Sequence, residues 1–455
     1  MKKMKKISIL LLLILSLSAC QKEFIDKNEV IEDAVYHTPE AYPGIVLGMT
    51  KIFTTKALKD IVKGPGLTAK EFGRANTYVT TIQLANGGKD ITDDNSAVKG
   101  IWTELHRSRG IAEKIIANID QVNFVNPDEA VAYKAYAQFF KAMTIGYLAN
   151  YWQKVTINND PDNKAQFVDR LDGYQTAINY LNNAQQAFDN NANAANIINN
   201  LVSFNFSIVN VIHAFKARYY IELGDYQNAY DEANAVDLTA KSVWSYDGGA
   251  IKNPVYAQLL DPGASLNYKP LDKLGLITAH TPDAGDGRIS FYLDNTVLMQ
   301  DLDCGFDLYD PKGFWHSANA DIPVYLPGEM LLIKAEAKAR MGGAANLTEA
   351  VNLIDQVRTK TPANDIFGVG ASLGPWSGNA NDASAVLDEI YRNYAAELYL
   401  EGLRFPIHRR FFPDYLNGID WNNVNRCQLE RVNNFYPYPD SERANNPNCP
   451  PNPAY

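Results

Sequence analysis

Apolar residues recur every three to five positions along much of the chain, and this spacing places them on one face of a helix. The pattern is found in five stretches: residues 101–121, 129–152, 174–188, 210–223 and 229–236. Three other stretches are rich in Gly, Pro and Asp and lack helical spacing: residues 241–324, 361–384 and 411–455. We therefore predict a mainly α-helical protein in which a loop-rich layer lies on a helical scaffold, and loops often carry function.

Small residues and a glycine in the predicted helix pair at 210–236 follow the offsets of a tetratricopeptide repeat. The positions concerned are Ala217, Tyr220, Gly224, Tyr226 and Ala229. Alanine at a helix crossing lets the two axes approach to about 8–10 Å. A weaker copy runs from Glu329 to Val357, and Tyr174 to Ala184 resembles half of another. We expect helical repeats over about 101–240 and 325–410.

The N-terminus reads as an export signal with a lipid-attachment cysteine. Four lysines precede the apolar run Ile7 to Leu15, which is too short to cross a bilayer. Leu17-Ser18-Ala19-Cys20 resembles a bacterial lipobox. We expect a signal peptide at 1–19, acylation of Cys20 (with palmitate among its chains), a flexible tether at 20–42 and a body at 43–455. The alternative is a plain secretory signal in which Cys20 is incidental.

The charge balance excludes one class of partner. The 455 residues contain 42 Lys and Arg and 52 Asp and Glu, a formal charge of −10. Loss of the four lysines of the signal peptide leaves 38 against 52, or −14. Nucleic acid is therefore not an expected partner, because a protein binds its phosphates through clustered Lys and Arg.

The remaining cysteines and acidic residues offer little metal chemistry. Cys427 and Cys449 could form a disulfide across the C-terminal loops, with three unpaired thiols, including that of Cys304, as the alternative. No two of the six histidines lie three or four residues apart, so no helical metal pair is expected. Residues 301–307 alternate acidic positions as a calcium loop does, but Lys312 stands where the closing Glu belongs. We expect no cofactor, with a structural Ca²⁺ as the only metal to consider.

Four further segments resemble the SusD/RagB family of outer-membrane nutrient-binding lipoproteins. They are the aromatic-rich helix from Tyr133 to Trp152, the pair formed by Tyr325 to Ala337 and Asn352 to Arg358, the run from Ile390 to Arg410, and the Pro-rich end from Tyr436 to Tyr455. The resemblance implies a SusD-like fold over nearly the whole mature chain. His408 departs from the family pattern, in which Asp is common at that position.

The resemblance also implies a function. A SusD-like lipoprotein at the outer face of the outer membrane captures an oligosaccharide and delivers it to a TonB-dependent, SusC-like transporter, without catalysis. The first alternative is a RagB-like lid that captures peptides, and the second is a repeat-protein adaptor without a small ligand. The third is a hydrolase that uses paired carboxylates such as Glu397 and Glu401, which we otherwise expect in a buried ion network with Arg404.

By the same resemblance, the ligand face is formed by loops around residues 70–100 and 290–320. Sugars lay their C–H faces on aromatic rings while their hydroxyls bond to polar side chains. The residues that combine these properties in the two segments are Tyr78, Asn95, Tyr292 and Trp315. The alternative for each is a structural position that fills the gap between a loop and a helix.

Overall fold

The body of the protein begins earlier than the sequence suggested. The computed structural model describes residues 32–203, 205–276 and 279–453, so the signal peptide and Cys20 lie outside the described residues. Helix α1 spans Glu32–Tyr36, and a 3-10 turn leads into α2 at Tyr42. Tyr36 and Tyr42 are both buried, and the Tyr42 hydroxyl donates to the Tyr36 carbonyl over 2.8 Å. The expected tether to residue 42 is thus too long, because its last eleven residues belong to the folded body.

Long helices build the scaffold, and their apolar stripes share one continuous core. The N-terminal half contains α2 (Tyr42–Ile52), a π-helical turn (Phe53–Ala57), α3 (Leu58–Thr68), α4 (Val79–Asn86), α5 (Ser96–Asn118), α6 (Pro127–Tyr151), α7 (Arg170–Asp189), α8 (Ala192–Val202), α9 (Ile208–Leu223) and α10 (Tyr226–Ala235). The C-terminal half contains α11 (Pro254–Leu259), α12 (Gly287–Tyr292), α13 (Pro327–Met341), α14 (Ala344–Thr359), α15 (Ala383–Glu397), α16 (Arg404–Phe411) and α17 (Asp440–Asn445). Among the described residues, no helix is both long enough and apolar enough to cross a bilayer.

The turn between α9 and α10 shows why the repeat pattern requires its glycine. Gly224 ends α9 with a φ of 76°, a left-handed conformation that residues with a Cβ rarely adopt. The Asp225 N–H then donates to the Tyr220 carbonyl over 3.0 Å, and the Asp225 side chain caps α10. Ala217 and Ala229 are fully buried, as expected for small residues at a helix contact.

The helix pairs stack on one another in the order of the chain. Helix α7 packs on α6 and on α9, α10 packs on α13, and α13 packs on α14 and α15. The second predicted repeat is therefore the α13–α14 pair, and the half repeat at Tyr174 lies in α7. The prediction of a mainly helical, tetratricopeptide-like scaffold is confirmed.

The loop-rich layer is held together by short antiparallel strand pairs and not by one large sheet. The strands are β1 (Phe72–Arg74), β2 (Lys154–Thr156), β3 (Phe167–Asp169), β4 (Val243–Trp244), β5 (Tyr268–Pro270), β6 (Leu293–Gln300), β7 (Asp307–Pro311) and β8 (Ile322–Pro323). They pair as β1 with β5, β2 with β3, β4 with β8 and β6 with β7. A bridge between Leu271 and Leu308 connects the first of these pairs to the β6–β7 hairpin.

A disulfide fastens the β6–β7 hairpin to the C-terminal loops. Cys304, in the hairpin turn, is bonded to Cys427, and Cys449 is free and half-buried. Both alternatives from the sequence are therefore wrong, because Cys427 is neither bonded to Cys449 nor unpaired. Packing brings the hairpin turn beside the 3-10 turn at residues 426–428, although 123 positions of sequence separate the two cysteines.

Candidate functional site

An open polar pocket lies where α3, α11 and β5 meet the start of α5. Its volume is about 360 Å³. The residues that line it are Lys59, Asp60, Lys63, Ser96, Ala257, Gln258, Gly263, Ala264, Ser265, Asn267 and Tyr268. Hydroxyls, amides and ammonium groups dominate this wall, which gives a ligand both donors and acceptors. We refer to this cavity as the α3 pocket.

Tyr78 presents an aromatic ring beside the α3 pocket. Its side chain is 52% exposed, and its backbone N–H donates to the Asn76 carboxamide over 2.9 Å. Asn76 in turn donates to the side chain of Asn267 in the pocket wall. Of the four predicted ligand residues, Tyr78 is the one that the structure places at an open, polar site.

One lysine connects this ring to the pocket. The Lys63 Nζ lies 6.0 Å from the centre of the Tyr78 ring and 5.5 Å from that of Tyr268. Burial lowers the pKa of the Lys63 ammonium, because the charged form loses hydration. Sequence reasoning missed Lys63, although Lys56, Lys59 and Lys63 follow helical spacing and so indicate one cationic face.

An aspartate lies on the inner side of the same helix. Asp60 is 7% exposed, and its carboxylate lies 3.7 Å from the Lys59 Nζ. Burial raises the pKa of Asp60 to about 6, and the nearby Lys59 and Lys63 oppose that rise. The carboxylate packs against Gly100 of α5, where a Cβ would lie 2.0 Å from an Asp60 oxygen. Glycine is therefore required there for the close approach of α3 and α5.

The other three predicted ligand residues are structural. Asn95 is fully buried and caps α5, accepting from the Ala97 N–H over 3.1 Å while its amide donates to Thr80 and Gln83. Tyr292 is fully buried, and its hydroxyl donates to the Glu397 carbonyl over 2.7 Å.

Trp315 is likewise fully buried, beside Phe314. Asn95, Tyr292 and Trp315 offer no accessible surface to a ligand, so the structure contradicts their prediction as ligand contacts. The aromatic rings of the loop layer fill gaps between loops and helices, as the alternative interpretation proposed.

The acidic segment in the β6–β7 turn binds the side chain of Arg74. Asp301 accepts from the N–H groups of Arg74 and Cys304, each over 2.7 Å. Asp303 forms an ion pair with the Arg74 guanidinium. These residues do not fit a calcium ion, because their oxygens already face N–H donors. Among the described residues, no group of three or more His, Cys, Asp or Glu side chains could hold a metal.

A second open pocket, lined in part by α5 and α17, differs in charge. Its lining includes Asp160 and Glu442 and contains neither Lys nor Arg. Trp102 forms part of the wall but is only 4% exposed, and its indole N–H donates to Glu442 over 3.3 Å. An exposed ring for stacking on a sugar is thus found at the α3 pocket and not at the Trp102 wall.

The paired carboxylates of the hydrolase alternative are inside the protein. Glu397 is fully buried and pairs with the Lys360 Nζ at 2.5 Å and the Arg288 guanidinium at 3.4 Å. Burial raises the pKa of Glu401 well above its usual range. The expected buried ion network exists, but with Lys360 and Arg288 as the partners of Glu397; Arg404 lies 3.6 Å from Glu71 instead.

A stack of helical repeats under a loop-rich layer is also the architecture of a known family, as comparison of this chain with known proteins shows. The model of the SusD family matches residues 312–455. No curated protein matches the chain in sequence.

Solved structures of the SusD superfamily share the fold. A SusD homolog from Bacteroides thetaiotaomicron superposes with a TM-score of 0.69 at 13% identity, covering 94% of this chain and 99% of that one. A SusD-like carbohydrate binding protein from Bacteroides fragilis gives 0.65 at 14% identity, covering 91% and 99%. A putative sugar binding protein from Bacteroides vulgatus gives 0.62 at 15% identity, covering 92% and 99%.

The resemblance to the SusD/RagB family is confirmed, by the family model over residues 312–455 and by the fold over nearly the whole chain.

Proposed function

We propose that this protein captures an oligosaccharide at the α3 pocket and delivers it to a TonB-dependent, SusC-like transporter. Acylated Cys20 holds the protein at the outer face of the outer membrane, and the protein itself performs no catalysis. The observation that carries the proposal is the exposed Tyr78 ring beside a pocket of hydroxyl, amide and ammonium groups, on a SusD fold. Two structures with this fold are described as a carbohydrate binding and a putative sugar binding protein, which supports the same ligand class.

Tyr78 sets the expected strength of binding. A sugar that covers about 60–80 Å² of apolar surface on the ring gains under about 2 kcal/mol at ~25 cal/mol per Å². A few contacts of this size support roughly millimolar to micromolar affinity. Such affinity suits capture followed by release to a transporter.

Calorimetric titration of the mature protein against a panel of oligosaccharides tests the proposal. Tyr78→Ala should weaken binding of the best ligand by about 10- to 30-fold. Tyr180→Ala is the matched control, because that ring also lies near a lysine, 4.9 Å from the Lys141 Nζ, but on α7. No binding to any glycan, or equal affinity of the Tyr78 variant and the wild type, would contradict the proposal.

Anchoring and partnership need separate experiments. Cys20→Ala should abolish palmitate labelling and release the protein from membranes. Purification from membranes should recover a SusC-like transporter, and mass spectrometry of the co-purified ligand distinguishes oligosaccharides from the peptides of the RagB-like alternative.

A further inference from the structure

The lysines of the α3 pocket point to the chemical class of its ligand, an inference that rests on the proposed function of this pocket. Lys59 and Lys63 line the cavity, and Lys56 continues the same face one turn earlier. Lys56 is exposed, whereas Lys63 is half-buried. The cationic face therefore extends from the solvent to the pocket wall.

Lys63 is not committed to a carboxylate partner. Within the described residues its ammonium takes part in no hydrogen bond and no ion pair within 4 Å, and its close contacts are the faces of Tyr78 and Tyr268. By contrast, a comparable lysine on α13, Lys338, lies 4.4 Å from the Tyr230 ring and is also paired with Glu349 at 2.9 Å. Cation–π contacts leave the N–H donors of Lys63 free for an anion.

The pocket carries a net positive charge in a strongly acidic protein. Its lining contains Lys59 and Lys63 and one acidic residue, Asp60, which is turned inward against Gly100. A ligand in the cavity thus meets the lysines before the carboxylate. The second open pocket has the opposite balance, with Asp160 and Glu442 and neither Lys nor Arg in its lining.

Neutral polar groups complete the wall. Ser96, Ser265 and Asn267 line the cavity, and their side chains suit the hydroxyls of a sugar. Tyr78 provides the face on which a sugar ring stacks, and Lys63 lies beside that face. An anionic group on the stacked sugar would therefore lie within reach of the Lys63 ammonium.

We propose that the ligand of the α3 pocket is an acidic oligosaccharide whose carboxylate or sulfate group binds the Lys63 ammonium while its sugar ring stacks on Tyr78. Lys59 supplies a second positive charge at the same wall. Lys63 is thereby a specificity-determining residue, because a neutral oligosaccharide leaves its half-buried ammonium without a charged acceptor. A hydrogen bond to a charged group predicts about a 10-fold or greater preference for the acidic ligand.

Matched pairs of ligands test this preference on the mature, full-length protein. One pair is oligogalacturonate and its methyl ester, in which a methyl group on each carboxyl removes the negative charge. The other is a sulfated oligosaccharide and its desulfated form, so the two pairs separate a uronate ligand from a sulfate ester. Calorimetric titration at low and high salt gives affinity for each, and binding of the acidic member should weaken as salt rises.

Variants locate the effect. Lys63→Met keeps the length of the side chain and should weaken binding of the acidic member about 10-fold or more, with little change for the neutral one. Lys63→Arg keeps the charge and should retain the preference. Lys334→Met is the control, since Lys334 also lies over a tyrosine, 5.3 Å from the Tyr230 ring, but on α13.

Each outcome separates this inference from the function on which it rests. The inference is supported if the wild type binds the acidic member of a pair more tightly than the neutral one and the Lys63→Met variant does not. Equal or better binding of the neutral members overturns it and leaves the oligosaccharide function intact. Acidic preference that survives Lys63→Met overturns the role of Lys63. Absence of binding to any oligosaccharide of a wider panel overturns the proposed function as well.

Discussion

Removal of the Cys304–Cys427 disulfide should destabilise the protein measurably. The bond closes a loop with a sequence separation of 123 residues. If its effect is to restrict the unfolded chain, a loop of this length corresponds to about 5 kcal/mol of stability. This value is an upper bound, because residual structure in the unfolded state reduces it.

Locally, the β6–β7 hairpin should become more mobile without detaching. Arg74 still pairs with Asp303, and Asp301 still accepts two backbone N–H groups after the disulfide is removed. The hairpin also carries exposed apolar side chains, Leu298 at 46% and Leu302 at 51%. We therefore expect faster hydrogen exchange over residues 293–311, with the helical scaffold unchanged.

The assay compares urea unfolding of the double variant Cys304→Ser, Cys427→Ser with that of the wild type. The double variant should unfold with a lower urea midpoint. Cys449→Ser is the control and should behave as the wild type, because Cys449 has no disulfide partner. Peptide mapping without reduction should recover Cys304 joined to Cys427. A map that joins Cys427 to Cys449, or an unchanged midpoint in the double variant, would refute the reasoning.

Three further changes test the packing around the core. Glu397→Ala removes one of the two carboxylate partners of Arg288 and of Lys360, which keep Asp286 and Asp365, and should cost about 1.5–3 kcal/mol in urea unfolding. Glu397→Gln should cost less, and equal stability of the Ala variant and the wild type would contradict the network. Asp60 has a pKa of about 6 in the folded protein, above the unfolded value of 3.8. The protonated carboxyl therefore contributes to the stability of the fold fully below pH 3.8, and this contribution is lost as pH rises through 6. Asp60→Asn should remove this loss, up to about 3 kcal/mol at pH 8, and parallel stability–pH curves of variant and wild type would argue against it. Gly146→Ala places a Cβ 2.1 Å from the Tyr219 side chain and should lower the free energy of unfolding by about 1–3 kcal/mol. An unchanged urea midpoint would show that α6 and α9 can move apart without cost.

Helices and their pairing could be predicted because their signals are local. The run at 129–152 became α6, Pro127–Tyr151, and the Gly224 turn lies where the repeat pattern placed it. Asn95 also had a local signal, since Asn directly before a helix is a preferred N-cap. Its role in capping α5 was readable from the sequence, and its prediction as a ligand contact overlooked that signal.

Non-local contacts explain the errors. Which loop meets Cys304 depends on how the β6–β7 hairpin packs against the C-terminal turn, and no spacing rule encodes that contact. Tyr292 ends the short helix α12 and Trp315 ends a 3-10 turn, and both side chains face inward, so a position in the predicted loop layer did not indicate exposure. Lys63 was missed because a lysine on a helix usually faces solvent, whereas here two tyrosine rings cover it.

A loop layer that buries its own backbone needs donors for its carbonyl groups, and buried arginines supply them. Arg404 donates to the carbonyl of Leu274 in the loop layer over 2.6 Å and to that of Ala395, near the end of α15, over 2.5 Å. Arg218 donates to the carbonyl of Val324 over 2.9 Å. A guanidinium carries five N–H donors in a fixed plane, so one side chain can connect several irregular segments. This accounts for charged residues at positions where a helical bundle would place Leu.

Strand pairing and a side-chain hydrogen bond hold the wall of the α3 pocket. Tyr268 is paired with Arg74 in the β1–β5 ladder, and Asn76 donates to Asn267, so under the proposed function a ligand would have to order little of this wall. If the proposed function is correct, the affinity of the α3 pocket is set by the few groups that would touch the ligand, chiefly the Tyr78 ring and the Lys63 ammonium. A rigid site with few contacts binds selectively yet weakly, and weak binding is what the proposed transfer to a transporter would require.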